Sequence, residues 1–401
     1  MAYQGNITRY YLYTALTSCL LWLPVWVVFL TQRGLSLGQI GTLELVAILL
    51  LAICEVPTGI VADTWGRTVS MAIGAAMHGL ALLGLLTAVL SPVFLLAYAL
   101  WGISFSFVSG AGEAFAYDSL KADGMTDAYP RVASRLALIR QAAAGASGLV
   151  GGLVAAIDLR LCFVLTAGAC LAGAGVILTG REPPRDEATV TDATGYRATL
   201  VQAVHLAVRR PRVRYIILIG AVVHLFTILL TMTAFQPYAT EVDLPIWTFG
   251  SLVLGIQLCS MGGSAVSVRL ATRLGRDRLL VLALGGIAGF QVLLWLGASR
   301  PAIILFAAAA AVGALVQPVL STMLNDAIPS RQRATIISLQ SLVAMVGLGV
   351  VQFGLFAIGE RTGMALALGC AGLVMAALVV PLLTLLNRAP ADAQGSNVAV
   401  D

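Results

Sequence analysis

Four ionisable side chains, Glu44, Glu55, Glu113 and Arg140, stand inside apolar runs long enough to cross a bilayer. At bilayer depth each costs about 2.5–3.5 kcal/mol on insertion scales, so each needs a partner, a water-lined cavity or a protonation role. A rise of ~1.5 Å per residue puts Glu55, Glu113 and Arg140 roughly 7–11 Å from the inner ends of their spans. That shared layer predicts that Arg140 pairs with Glu113, Glu55 or both. Desolvation favours a neutral carboxyl, and a neighbouring guanidinium favours the carboxylate. Release of the arginine would therefore trigger proton uptake; a static buried salt bridge is the other reading. Glu44 precedes Glu55 by 11 residues. At about 100° per residue the two face the same way, so Glu44 is a candidate outer gate of the same path, a site for a cationic substrate, or a rim residue touching water.

The elements that must position these charges are membrane helices. Of 401 residues, 59% are hydrophobic and only 11% charged, against about 25% charge in a soluble domain. Apolar runs near 20 residues recur from end to end, the length a bilayer core demands. The first run, about 10–30, is too long for the core of a secretory signal and reads as a retained span. Twelve helices are predicted, at 9–31, 37–62, 69–90, 93–117, 134–156, 160–180, 214–238, 246–268, 278–298, 301–325, 334–358 and 362–387. Of the 24 Lys and Arg, only Arg33, Arg160, Arg300 and Arg361 fall in one set of alternate loops, and Arg140 lies within a span. The remainder crowd the other set, which places both termini in the cytoplasm.

The chain divides into six spans (1–180), a cytoplasmic linker with an amphipathic helix that could meet anionic lipid (181–213), six more spans (214–388), and a disordered cytoplasmic tail (389–401). The halves echo each other: ADTWGRT follows span two and ATRLGRD follows span eight, so Gly66-Arg67 matches Gly275-Arg276, and Asp118 matches Asp326. The expected fold is thus an all-α membrane protein of twelve transmembrane helices in two pseudo-symmetric six-helix bundles.

Other chemistry finds little support. No G-x-x-x-x-G-K-[ST] loop is present, which excludes ATP as the power source of this chain. No H-E-x-x-H or Ser/His arrangement offers catalysis. The six cysteines show no CxxC spacing, and His78, His205 and His224 lie far apart, so neither a metal nor another cofactor is expected. The net charge of +5 is explained by topology rather than by nucleic acid.

Gly59, Asp63, Gly66 and Arg67 in GIVADTWGR stand on the loop pattern G-x-x-x-D-R-x-G-R-R. In these residues the chain resembles the major facilitator superfamily, over essentially its whole length. The EVPTG lead-in and SGAGEAFAYDSL look like its drug-exporter-like, proton-antiporting branch. The resemblance implies that the loop clamps the two halves in one state, with Asp118 joining the charge network. Exporters often carry G-P-x-x-G-G in span five; here Ser147 and Gly148 occupy the first two places, and the missing proline keeps a proton-coupled uptake symporter for a small polar solute open as the alternative. Family architecture puts helices one, four, seven and ten around the cavity. That favours Gln236 and Gln317, each followed by proline, among the membrane glutamines that also include Gln257, Gln291, Gln340 and Gln352. Trp22, Trp26 and Phe105 would supply aromatic walls. The expectation is a monomeric secondary transporter of the inner (plasma) membrane, with protons, lipid and a small amphipathic organic substrate as partners, working by alternating access.

Overall fold

The computed structural model describes residues 3–184, 209–328 and 333–388. Most of the predicted linker and all of the predicted tail lie outside them. Among the described residues the regular structure is helical, with no strand. The first half comprises α1 (Gln4–Thr17), α2 (Trp26–Gln32), α3 (Leu37–Trp65), α4 (Arg67–Gly84), α5 (Pro92–Val108), α6 (Ala111–Ala122), α7 (Tyr129–Ala155) and α8 (Leu159–Leu178). The second comprises α9 (Pro211–Ile228), α10 (Phe235–Glu241), α11 (Trp247–Leu274), α12 (Arg276–Leu296), α13 (Ile304–Ala327), α14 (Arg333–Thr362) and α15 (Met364–Arg388). Among the described residues, ten helical stretches are long and apolar enough to cross a membrane. Their outer faces are greasy, as Ile53, Leu96, Val268 and Val380 show at 60% exposure or more. The stretch 211–241 is the exception, 72% buried where the others are 22–44%, so it runs through the middle of the molecule.

Local chemistry sets the helix ends. Ser36 and Gln39 form a reciprocal capping box at the start of α3, and Ser91 caps α5, whose first residue is Pro92, as the orphan N–H groups of a helix start require. Arg33 donates to the Leu85, Leu86 and Thr87 carbonyls at the end of α4. Between α3 and α4, Gly66 takes φ 115°, and between α11 and α12, Gly275 takes φ 82°, with ψ 148° at both. Side chains with a Cβ avoid that region. The same glycine hinge, followed by an arginine that opens the next helix, appears once in each half.

Two predicted spans are not continuous. The first breaks between α1 and α2, because Pro24 has no N–H and its ring clashes with a helical turn. Backbone freed at bilayer depth must find protein partners, and here it does. Ser147 and Thr166 accept from the Leu20 and Leu21 N–H groups, and Gln236 spans Leu23 O and Val27 N, both at 2.9 Å. The fourth breaks at Ser109-Gly110, where Gly110 has φ 72°. The expected third span appears as α4, 18 residues long, and is not among the ten apolar stretches.

The end of the molecule that carries Gly66 and Gly275 is hereafter the basic end. At the opposite, far end the halves are in close contact. A Cβ placed on Gly152 of α7 would lie 2.6 Å from the Gly250 N of α11, so the two backbones touch, as small residues permit. Glu360 of α14 accepts from Ser36 Oγ at 3.0 Å and Gly38 N at 2.7 Å, capping α3 from the other half.

Candidate functional site: a charged cavity and a buried carboxyl

A cavity of about 460 Å³ opens within the first half. Its walls come from α1, α4, the broken α5–α6 pair, α7 and α8. Glu113 and Arg140 both line it, as do His78, Ser104 and Phe105. The two charged groups are exposed into that space, and the predicted ion pair between Arg140 and Glu113 or Glu55 is not formed: Ser109 donates to Glu55 Oε1 at 3.1 Å instead. The break at Ser109-Gly110 explains this. It frees the Ser109 hydroxyl to meet Glu55, and it starts α6 two residues before Glu113.

Glu44 behaves differently. Only 6% exposed, it accepts from Tyr98 Oη at 2.5 Å and from Gln352 Nε2 at 3.5 Å. Tyr98 belongs to the same half and Gln352 to the other, so this carboxyl sits on the seam between them. Glu44 and Glu55 both meet helix α5, at Tyr98 and at Ser109 just past its end, as their shared facing implies. Trp22, Trp26 and Trp101 close around Glu44 in a gap of about 10 Å³, near the least that holds one water. Trp22 and Trp101 carry indole N–H groups without a partner. Trp22 stacks edge-on to Trp101 at 5.7 Å, and Trp101 to Phe105 at 5.3 Å, so an aromatic cluster joins the Glu44 gap to the larger cavity.

Of the two glutamines singled out, Gln236 is fully buried and its amide is committed to the broken first span. Gln317 lines a separate cavity of about 240 Å³ in the second half with His224, Ser321 and Gln340.

At the basic end Arg67 forms an ion pair with Asp118 and donates to Ala114 O at 2.7 Å. Its counterpart Arg276 lies 3.3 Å from Asp326. The first pair is half-buried and the second exposed. Gly59 and Asp63 lie one turn apart on an exposed face of α3. Sequence reasoning missed Glu182, which accepts from the Arg67 and Thr68 N–H groups at 2.7 and 3.1 Å and from Thr68 Oγ1 at 2.8 Å. A carboxylate at a helix N-terminus is favourably placed, but its distance of over 100 residues along the chain left no local signal. Glu360 was missed for the same reason. Glu360→Gln should loosen the far end about two- to fivefold, since exposed charged contacts are worth ~1 kcal/mol or less. Thiol labelling of a cysteine at Leu37, half-buried beside this contact, would rise.

The sequence profile of the Major Facilitator Superfamily matches residues 10–351. The chain belongs to that superfamily: it is a multi-pass membrane transporter, not an enzyme. Among curated proteins none matches the chain. Solved structures show the same fold. The nucleoside transporter NupG has a TM-score of 0.75 at 13% identity, over 95% of this chain and 99% of that one. A bacterial homolog of the human lysosomal transporter Spinster, inward-facing and unoccupied, has 0.73 at 15%, over 97% and 98%. A D-xylose–proton symporter has 0.70 at 14%, over 99% and 100%.

Proposed function

We propose that the chain is a proton-coupled secondary transporter of the inner (plasma) membrane that exports a small amphipathic organic compound by alternating access. The observation that carries the reading is Glu44. An unpaired charge buried in a protein is strongly destabilising, and this carboxyl has no basic partner among the described residues and lies on a seam that must part when the far end opens. Parting exposes it to water, so proton binding and release accompany the motion. The basic end is cytoplasmic by the distribution of Lys and Arg. The broken α1–α2 segment and α4 then complete twelve crossings, and with its far end shut the described state reads as inward-facing. The Arg67–Asp118 pair and Gly59-Asp63 form the latch that engages when the basic end closes. One chain supplies both halves and the cavity, which supports a monomer.

Export rests on the resemblance of the EVPTG and SGAGEAFAYDSL stretches. Uptake remains the second reading because Ser147, where exporters carry glycine before proline, instead caps the broken first span. Inside-out vesicles with an acidic lumen separate the two. With a panel of labelled amphipathic solutes, antiport concentrates one or more in the lumen, and symport expels them. Expulsion overturns export; no gradient-dependent flux overturns proton coupling.

A further inference from the structure

The cavity in the first half contains a charge pattern that selects its occupant. Glu113 and Arg140 line the same space, and no ion pair joins them. When the cavity closes and water leaves, each needs an opposite charge, because a charged hydrogen-bonding group left unsatisfied loses ~1–3 kcal/mol or more. A monovalent cation would satisfy Glu113 and strand Arg140; an anion would do the reverse.

His78 forms part of the wall beside this pair. It is 8% exposed and lines the cavity. Its Nδ1 lies 3.2 Å from Ser104 Oγ, and that hydroxyl already spends its one proton on Trp101 O at 2.6 Å. Imidazole Nδ1–H must therefore donate to Ser104, which leaves Nε2 of the neutral ring as an acceptor. That Nε2 is buried, with no partner among the described residues, and is closed off from the open space. The cavity thus offers one charged acceptor, Glu113, and one multidentate donor, Arg140. Its apolar wall is Phe105, Tyr10 and Tyr13.

We propose that this cavity binds an organic zwitterion: its carboxylate meets Arg140, its ammonium meets Glu113, and its apolar body lies on Phe105 and the tyrosines. This rests on the reading of the chain as a transporter and names its substrate class.

The test is binding to the purified full-length protein, read as ligand-induced shifts in thermal unfolding. The probes are aromatic and aliphatic amino acids and betaines, with methyl esters of each and N-acetyl forms of the amino acids. At least one parent zwitterion should bind about 10–100-fold tighter than its blocked forms, the range of a charged hydrogen bond. In Arg140→Gln the parent and its ester should bind alike; in Glu113→Gln the parent and its N-acetyl form should bind alike. Arg140→Lys, which keeps the charge, should keep the preference and serves if Arg140→Gln does not fold. If no zwitterion binds, or blocked forms bind as tightly as their parents, the proposal is wrong. It is equally wrong if the variants leave the ratios unchanged, as they would if Glu113 and Arg140 simply joined over a neutral ligand. Binding requires no gradient, so charge-selective binding without flux would overturn the transport reading alone, and flux without charge selectivity would overturn this inference alone.

Discussion

Replacing Glu44 by glutamine should abolish accumulation driven by a pH gradient while leaving the protein folded. Glutamine fits the space and still accepts from Tyr98 through its carbonyl, but it binds no exchangeable proton. Tyr98 and Gln352 hold the far end shut around a neutral group as well as around a protonated carboxyl. The variant is therefore expected to favour the described conformation and to lose the response to pH. Coupling between two sites is typically worth ~1–3 kcal/mol, about 5–150-fold, and that whole factor in the accumulation ratio should vanish. Proteoliposome flux with and without an imposed gradient gives the number. Glu113→Gln is the informative control: proton-driven flux should persist through it for whichever substrate still binds.

The second large effect is at the far-end seam. In Gly152→Val the first added carbon already meets Gly250 N at 2.6 Å and Trp247 O at 2.9 Å. Both are backbone atoms on a long helix and cannot swing aside. Overpacking costs about 1–3 kcal/mol in a core that can adjust, and here the penalty falls only on the state in which the far end is shut. The variant should shift the population toward far-end opening by about 5–150-fold, one decade per 1.4 kcal/mol, with label reaching a cysteine at Ala155, buried in the described state, more readily. Gly59→Val is the converse. No described residue lies within 4 Å of a Cβ built on Gly59 in this state, so the variant should tolerate the described conformation and impede only closure of the basic end.

Much of the frame is legible in the chain because it is periodic or repeated. Apolar runs announce the helices, and the twice-used Gly-Arg hinge with its distant aspartate announces two related halves; Arg67 meets Asp118 and Arg276 meets Asp326. What the sequence hides depends on contacts between distant residues. The break after α1 is written in Leu23-Pro24, but the partners that make it tolerable, Ser147, Thr166 and Gln236, come from three other helices. Gln236 therefore looked like a cavity residue while its amide serves the backbone. Glu55, Glu113 and Arg140 share a layer on paper, yet a two-residue break in the fourth span turns Glu55 toward Ser109. Glu44, the most deeply buried of the four charges, owes its setting to Gln352, over 300 residues away, which no spacing rule could supply.

The central claim, that the two halves open alternately at opposite ends under control of the Glu44 proton, is tested most directly by spin-label distances. One pair, at Ser134 and Thr272, reports the basic end; another, at Ile157 and Trp247, reports the far end. In a background lacking the native cysteines, a pH titration should move the two distance distributions in opposite directions, and Glu44→Gln should hold both at the values of the described state. Distances that rise and fall together, or that still respond to pH without the Glu44 carboxyl, would contradict the account.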